Sequence, residues 1–169
     1  MIYCTEAVVI GGGPGGLCAA LALARQGRKT ALVTNRPVLG GNSSSEIRVW
    51  TRGATGGGNL YAEEMGIWGE LKLRNLYLNT EANPVFWDNV LLEQVLLEEN
   101  LELFLNTHVF DLKLDGKGTI LSAIGVQMGT EKQIEFQGNF FIDATGDGTL
   151  GQLAKVTSTV GKEDRTAYD

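Results

Sequence analysis

A glycine-rich segment near the amino terminus constrains the fold of this 169-residue chain more than any other feature. Its sequence is Gly-Gly-Gly-Pro-Gly-Gly over residues 11–16, between a short apolar run at residues 7–10 and an Ala- and Leu-rich stretch at residues 17–26. Gly27 then marks the end of a helix, and residues 29–34 have the composition of a second buried strand. The pattern predicts a complete β-α-β unit and therefore an α/β domain with a parallel sheet.

The spacing of these glycines indicates a dinucleotide-binding turn. Gly11 permits a tight turn after the strand, Gly13 lets the backbone approach a pyrophosphate, and Gly16 allows close packing of helix against strand. The helix that follows directs N–H groups and the positive end of its dipole at phosphate. Because a strand precedes the motif and a helix and a second strand follow it, we favour a dinucleotide site over a purely structural turn.

The end of the second predicted strand departs from the usual dinucleotide-binding pattern. An acidic residue commonly stands about 20 residues after the glycines, where it bonds the ribose hydroxyls. This chain has Thr34, Asn35 and Arg36 at that place. Thr34 and Asn35 are able to bond a ribose hydroxyl without charge, and Arg36 is able to meet a phosphate. The alternative interpretation is a polar turn capped by Asn35.

The middle of the chain combines a long loop with two predicted helices. Residues 35–59 carry many Gly, Ser, Thr and Arg residues without sustained periodicity, which predicts a long loop that contacts a ligand or a partly extended crossover. Helices are expected at residues 60–76 and 84–99, the second with Asn83 as N-cap and Pro84 at its first position. The apolar face predicted for this second helix comprises Phe86, Val90, Leu91, Val95 and Leu97.

The last third of the chain is predicted to be rich in strands. Strands are expected at residues 101–106, 109–114, 119–128, 132–136 and 140–144. The middle three alternate well enough to form a small antiparallel meander, and the last resembles a buried strand. That strand ends in Thr145-Gly146-Asp147-Gly148, a second glycine turn of the kind that approaches a ligand at the carboxyl end of a parallel sheet.

Charge and composition exclude several classes of partner. The net charge of -6, with Lys and Arg scattered singly, offers no basic face for nucleic acid. The apolar run at residues 7–10 is too short for an export signal, and no other stretch is long enough to span a bilayer. Cys4 and Cys18 fit neither a disulfide framework nor a Cys-x-x-Cys pair, so we expect a reducing, cytoplasmic location.

Several residue types that often carry chemistry receive structural interpretations. Cys18 falls within the first predicted helix without a resolving partner and is expected in the core. His108 is the only histidine, and no metal-ligand spacing surrounds it, so a structural role is favoured over a general base and no metal site is predicted. Trp50, Trp68 and Trp87 are expected to be packing residues.

Three motifs taken together resemble those of a known family. They are Val8-Val9-Ile10 followed by the glycines of residues 11–16, the segment from Arg36-Pro37 through Gly40-Gly41-Asn42-Ser43 to Glu46, and Phe141-Ile142-Asp143-Ala144-Thr145-Gly146-Asp147-Gly148. Their order and spacing resemble the FAD-dependent oxidoreductases with a glutathione-reductase-type Rossmann fold, in the branch related to fumarate-reductase flavoproteins. The resemblance covers nearly the whole chain. It implies a Rossmann-like FAD-binding domain in which helices flank the parallel sheet and the antiparallel meander forms a crossover.

The resemblance also implies how FAD would lie, in an extended conformation. The residues implied at the pyrophosphate are Gly11, Gly13, Pro14, Gly15 and Gly16. Those implied at the adenosine are Thr34, Asn35 and Arg36 near the ribose and the backbone of Val109 near the adenine. Gly40, Gly41, Asn42 and Ser43 are implied toward the flavin end, and Ala144, Thr145, Gly146 and Asp147 close over the cofactor.

The charged residues beyond the flavin-end motif are the candidates for catalysis. Glu46, Arg48 and Arg52 follow it closely, and an Arg there is able to clamp a substrate carboxylate or stabilise negative charge on reduced flavin. A solvated loop whose charges pair with one another explains the same residues. Residues 53–58 are either a lid over the flavin ring or a flexible turn.

The resemblance implies hydride transfer between a small organic substrate and flavin. Chains of that family continue well beyond the second glycine turn, so residues 1–169 are expected to be an incomplete FAD-binding domain that works with the remaining portion of the enzyme. A non-catalytic or truncated dinucleotide-binding module is an alternative. An NAD(P)-dependent dehydrogenase is a further alternative, which the first glycine motif alone permits.

Overall fold

The computed structural model of this protein describes residues 1–51, 65–159 and 161. Its strands are β1 (Ile2–Cys4), β2 (Ala7–Ile10), β3 (Thr30–Val33), β4 (Leu101–Phe104), β5 (Thr107–Leu114), β6 (Ile120–Gln127), β7 (Lys132–Gln137) and β8 (Phe140–Asp143). Its helices are α1 (Pro14–Arg25), α2 (Gly66–Leu78), α3 (Pro84–Leu96) and α4 (Thr149–Leu153), and a short 3₁₀ turn covers Gly41–Ser43.

The parallel sheet has the strand order β4-β3-β2-β8, and every neighbouring pair in it is parallel. All four residues of β2 and all four of β3 are buried, as expected for central strands covered on both faces. Alternate residues serve opposite layers: Val9 and Leu32 pack toward the helices, whereas Val8 and Val33 pack toward the other sheet. The predicted α/β fold with a parallel sheet is confirmed.

The second sheet has the order β1-β7-β6-β5 and covers the face opposite the helices. Strands β5, β6 and β7 are antiparallel neighbours, which confirms the predicted meander. The rings of Phe104 and Phe136, from the two different sheets, meet edge to face with centroids 4.9 Å apart. Strand β1 was not predicted, because its three residues become a strand only by pairing in parallel with β7, far along the chain.

Helix α3 begins where it was predicted to begin, but the predicted set of core-facing residues was wrong in part. The Asn83 side chain accepts a hydrogen bond from the Val85 N–H at 3.0 Å, and Pro84 opens the helix. Phe86 and Leu97 were predicted to face the core but are 54% and 64% exposed. The buried residues are Trp87, Asp88, Val90, Leu91, Gln94 and Val95. Contact with α2 decides this face, since the rings of Trp87 and Trp68 meet edge to face with centroids 5.5 Å apart.

The expectations for the tryptophans, for Cys18 and for the helix at residues 60–76 are met only in part. Trp68 and Trp87 are core residues as predicted, but Trp50 is 58% exposed and does not belong to the core. Cys18 lies on α1, where it is half-buried and packs against the core, and this burial raises the pKa of its thiol. The predicted helix at residues 60–76 corresponds to α2, whose first predicted residues, 60–64, lie outside the described residues. No helix in the described part of the chain is long and apolar enough to cross a membrane.

Candidate functional site

A cleft of about 570 Å³ opens at the carboxyl ends of β2, β3 and β8, where Ile10, Val33 and Asp143 end these three parallel strands. Ligands of open α/β sheets bind at this edge. The predicted cofactor residues that line the cleft are Gly11, Gly13, Pro14, Gly15, Thr34, Asn35, Arg36, Gly41, Asn42, Ser43, Val109, Ala144, Thr145, Gly146 and Asp147. Four segments distant in sequence therefore meet in one cavity of the size typical of small-molecule sites.

The two glycine turns touch at the floor of this cleft. Gly11 has φ +113°, its N–H donates to the Val33 carbonyl at 2.8 Å, and the Ala144 N–H donates to the Ile10 carbonyl at 2.8 Å. A Cβ at Gly11 would collide with the carbonyl group of Ala144. Glycine is required here both by the backbone conformation and by the close approach of the second turn.

Helix α1 points its amino terminus into the cleft. It begins at Pro14 after Gly13, and no side chain caps it. The first N–H groups of a helix lack an intrahelical acceptor and carry the positive end of the dipole. A Cβ at Gly13 or Gly15 would meet nothing within 4 Å, so the backbone at both residues borders open space. The geometry suits an anion such as a pyrophosphate.

Gly16 and Gly40 were predicted to contact the cofactor, but neither lines the cleft. A Cβ at Gly16 would collide with the Gly11 carbonyl oxygen and lie 2.9 Å from the Ala144 Cβ. Gly40 has φ +100°, and a Cβ there would lie 2.8 Å from Leu91 Cδ1. Both glycines allow close packing behind the site. At Gly16 this is the close contact between helix and strand that the spacing of the motif predicts.

The end of β3 holds one anchored residue and two exposed ones. Thr34 is buried, its N–H donates to the Phe104 carbonyl at 2.9 Å, and its carbonyl accepts from the Thr107 N–H at 2.8 Å. Asn35 and Arg36 are exposed at the cleft. The wall of the cleft near β3 is therefore polar and carries no carboxylate at residues 34–36.

The loop at residues 40–45 is held from behind by α3. The Trp87 Nε1–H donates to Ser43 Oγ at 3.2 Å, and that hydroxyl donates to the Gly40 carbonyl at 2.8 Å. The Ser45 N–H donates to Oδ1 of buried Asp88 at 2.9 Å. Buried hydrogen bonds of this kind hold a loop in one conformation, because breaking them strands polar groups away from water.

The same loop is joined to the glycine turn in front. The Gly40 N–H donates to the Gly12 carbonyl at 2.8 Å. A Cβ at Gly41, which has φ +54°, would lie 3.1 Å from the Gly13 Cα. The loop that lines the cleft is therefore fixed between α3 and the first glycine turn.

The second glycine turn is closed by the carboxylate of Asp143. Its Oδ1 accepts from the Thr145 hydroxyl at 2.7 Å and the Thr145 N–H at 3.1 Å, while its Oδ2 accepts from the Leu150 N–H at 2.8 Å and the Gly151 N–H at 3.1 Å. Partial burial acts to raise the pKa of this carboxyl, but these hydrogen bonds outweigh it and lower the pKa below its usual value. Asp143 therefore shapes the turn and caps α4, a helix that was not predicted.

Of the catalytic candidates, Glu46 and Arg48 do not line the cleft. The carboxylate of Glu46 pairs with the Arg36 guanidinium at 3.3 Å, and the Arg48 Nε–H donates to the Ser45 carbonyl at 2.9 Å. Glu46 and Arg48 thus meet Arg36 and a backbone carbonyl rather than each other. Arg52 and residues 53–58 lie outside the described residues.

The cleft is also lined by residues that sequence reasoning did not assign to the site, including Val49, Trp50, Thr51, Thr107, His108 and Thr149. His108 is exposed at the cleft, so the structural role expected for it is not supported by burial. The one sequence signal that could have placed His108 at the cleft was its position immediately before Val109, which was predicted to lie near the adenine. Trp50 lies in a loop without periodicity, where no local pattern points to a ligand. The described residues contain no group of three His, Cys, Asp or Glu side chains that could hold a metal ion.

The chain matches the FAD dependent oxidoreductase family over residues 6–169 and belongs to it. This membership confirms FAD as the cofactor and places the chain in an oxidoreductase family. The residues present fit that cofactor, since a helix amino terminus, two glycine turns in contact and a polar strand end border one cleft.

Three known proteins share part of the sequence or the fold of this chain. The chain is 51% identical to the soluble pyridine nucleotide transhydrogenase of Ectopseudomonas mendocina (strain ymp) over 41 residues, which are 24% of this chain and 9% of that protein. L-proline dehydrogenase from P. horikoshii is 25% identical, with a TM-score of 0.52 over 86% of this chain and 23% of that one. E. coli quinol fumarate reductase shares the fold, with a TM-score of 0.53 at 15% identity over 86% of this chain and 33% of that one. The chain thus spans about a quarter of the length of the proline dehydrogenase and less of the transhydrogenase.

Proposed function

We propose that residues 1–169 bind FAD non-covalently and, with the remaining portion of the enzyme, transfer a hydride between a small organic substrate and the flavin. The observation that carries the proposal is the contact between Gly11 and Ala144 at the floor of the cleft. It joins the first glycine turn, with the amino terminus of α1, to the second turn, which borders the same cavity. A ligand that fills the cleft therefore meets both turns at once.

The pyrophosphate is assigned to the backbone around Gly13 and Gly15. Both residues border open space at the amino terminus of α1, where N–H groups and the helix dipole favour negative charge. The ribose hydroxyls are assigned to Thr34 and Asn35, and the adenine to the backbone of Val109. The net charge of the whole chain is -6, so anion binding here depends on these local groups.

The flavin end is assigned to Gly41, Asn42 and Ser43. Bound FAD supplies the hydride-accepting and hydride-donating chemistry, and the chain supplies position and surroundings. Trp87 and Asp88 hold the loop that contacts the ring, which limits its movement. Ala144, Thr145, Gly146 and Asp147 cover the opposite side of the cofactor. We assign no catalytic base among the described residues.

The small organic substrate and the interaction with the rest of the enzyme belong to this proposal. The support for the interaction is the coverage of the similar proteins, in which this chain corresponds to one part of a longer polypeptide. A cytoplasmic location is proposed as well, supported by two free cysteines.

The visible absorption spectrum of the purified 169-residue chain tests the proposal. We expect the chain to carry flavin or to bind added FAD, with the shifted bands of an enclosed flavin. A colourless protein that also fails to bind added FAD would overturn the assignment. If FAD binds and no donor or acceptor changes its redox state, even with the remaining portion supplied, the non-catalytic module becomes the better description.

A further inference from the structure

We propose that Trp50 packs against the isoalloxazine ring of the bound flavin and is a flavin-positioning contact outside the glycine turns. The inference depends on the proposed FAD site. Trp50 lines the cleft together with the loop at residues 40–45, here called the flavin-end loop, yet it is 58% exposed, whereas Trp68 and Trp87 are 8% and 4% exposed. A large exposed aromatic side chain inside a concave ligand site is the arrangement expected of a ligand contact.

The residues on both sides of Trp50 are hydrogen-bonded to other parts of the domain. On one side, the Val49 N–H donates to the Asn42 carbonyl at 2.8 Å, which joins the segment to the flavin-end loop. On the other, the Thr51 hydroxyl accepts from the Trp68 Nε1–H at 3.2 Å, and buried Trp68 belongs to the core. Trp50 is therefore held between two anchored neighbours, which lowers the entropy that it would lose on binding.

The chemistry of the surroundings identifies the flavin ring as the occupant. Val49 and Trp50 are apolar and more than half exposed, while the adenosine end of the cleft is lined by Thr34, Asn35 and Arg36. An extended FAD places its charged pyrophosphate at α1 and leaves its planar, largely apolar ring for the opposite end. An indole is the side chain best suited to cover such a ring.

Two variants separate packing from the electronic effect of the indole. Indole donates an electron readily to excited flavin at contact distance and quenches its fluorescence, whereas a phenyl ring does so poorly. Trp50→Phe should therefore retain most of the affinity for FAD and make the bound flavin brighter. Trp50→Leu removes the aromatic face and should weaken FAD binding by roughly 2- to 12-fold, as well as restoring fluorescence.

The test is an FAD titration of the 169-residue chain that follows affinity and flavin fluorescence lifetime, with Tyr77→Leu as the control. Tyr77 is 84% exposed on α2 and does not line the cleft, so its removal should leave both quantities unchanged. Equal affinity and equal lifetimes in wild type and both Trp50 variants would overturn the contact while the FAD site stands. Absence of FAD binding in the wild type would overturn both. The contact is supported if both Trp50 variants lose the quenching of flavin fluorescence and the affinity for FAD falls mainly in Trp50→Leu.

Discussion

The buried carboxylate of Asp88 on α3 accepts a hydrogen bond from the backbone N–H of Ser45 at 2.9 Å, and so ties the loop at residues 40–45 to the helical layer. The two residues are 43 positions apart in sequence. Trp87, the preceding residue, bonds the same loop through Ser43. The conformation of the cleft wall therefore depends on two side chains that do not line the cleft.

Asp88→Ala should destabilise the domain by about 1–3 kcal/mol, because it leaves the Ser45 N–H without its acceptor. FAD affinity should fall as well, since the loop that borders the cleft loses an anchor. Denaturant unfolding and FAD titration measure the two effects. Asn89→Ala is the matched control on the exposed side of the same helical turn, and it should change neither. Unaltered stability and affinity in Asp88→Ala would show that the Ser45 contact does not hold the loop.

Gly11→Ala and Gly13→Ala should separate the stability of the fold from binding at the cleft. At Gly11, positive φ and a collision with the Ala144 carbonyl should cost about 1–3 kcal/mol of unfolding free energy, through backbone strain of the kind that glycine avoids. At Gly13, φ is -70° and a Cβ meets nothing within 4 Å, so most of the stability should be retained, with a cost of about 0.5–1 kcal/mol for alanine in place of glycine at the N-cap.

FAD affinity should fall in Gly13→Ala in spite of its retained stability, because the new methyl group occupies space assigned to the pyrophosphate. Thermal unfolding without ligand and FAD titration of the folded variants distinguish the two effects. Full FAD affinity in Gly13→Ala would contradict the pyrophosphate assignment, although it would leave the role of Gly11 in the turn intact.

The turn closed by Asp143 should weaken in acid. The pKa of this carboxyl in the folded state lies below the usual value, so the charged form is the one that the fold stabilises. The contribution is complete above the ordinary Asp pKa of about 3.9 and is lost as the pH falls through the lower, folded-state value. Amide chemical shifts of Leu150 and Gly151, followed by NMR against pH, should report the loss.

Asp143→Asn should remove this acid transition at Leu150 and Gly151. Asp115 offers an internal control, since it accepts from the Lys117 N–H at 2.7 Å and the Thr119 N–H at 2.8 Å in a different turn, and its pKa is also lowered, first by these backbone bonds. Its turn should titrate equally in both proteins. An unchanged transition at Leu150 in Asp143→Asn would assign the pH dependence to another group.

Asn35→Asp should strengthen FAD binding. The change introduces a carboxylate at the end of β3 where the ribose hydroxyls are assigned, and a hydrogen bond to a charged acceptor is stronger than one to a neutral acceptor. The expected gain in affinity is roughly 2- to 10-fold, measured by titration. Gln133→Glu adds the same charge on β7, at an exposed residue outside the cleft, and should have no effect. A loss of affinity confined to Asn35→Asp would place a phosphate, rather than a ribose, beside this residue.

The β-α-β unit and its glycine turn were predictable because their causes lie close together in sequence. The turn at Gly11, the cap at Asn83 and the strand end at Asp143 each depend on backbone conformations that a few neighbouring residues decide. The antiparallel meander is similar, since short turns join its strands. Recognition of three motifs in order added the cofactor, because each motif supplies one border of the same cleft.

Long-range contacts could not be predicted in this way. The apolar residues of α3 are spread widely around the helix, so the sequence allows more than one buried face. Only the contact with α2 decides that Trp87 is buried and Phe86 is exposed. Strand β1 exists through its pairing with β7, and Trp50 reaches the cleft because Asn42 and Trp68 hold its neighbours. By itself, the sequence determined the strands of the β-α-β unit and of the meander, the glycine turns and helix α1, since local backbone geometry is encoded locally. Only the tertiary structure decided which side chains are buried, anchored or left at the cleft, because burial and hydrogen bonding depend on partners distant along the chain.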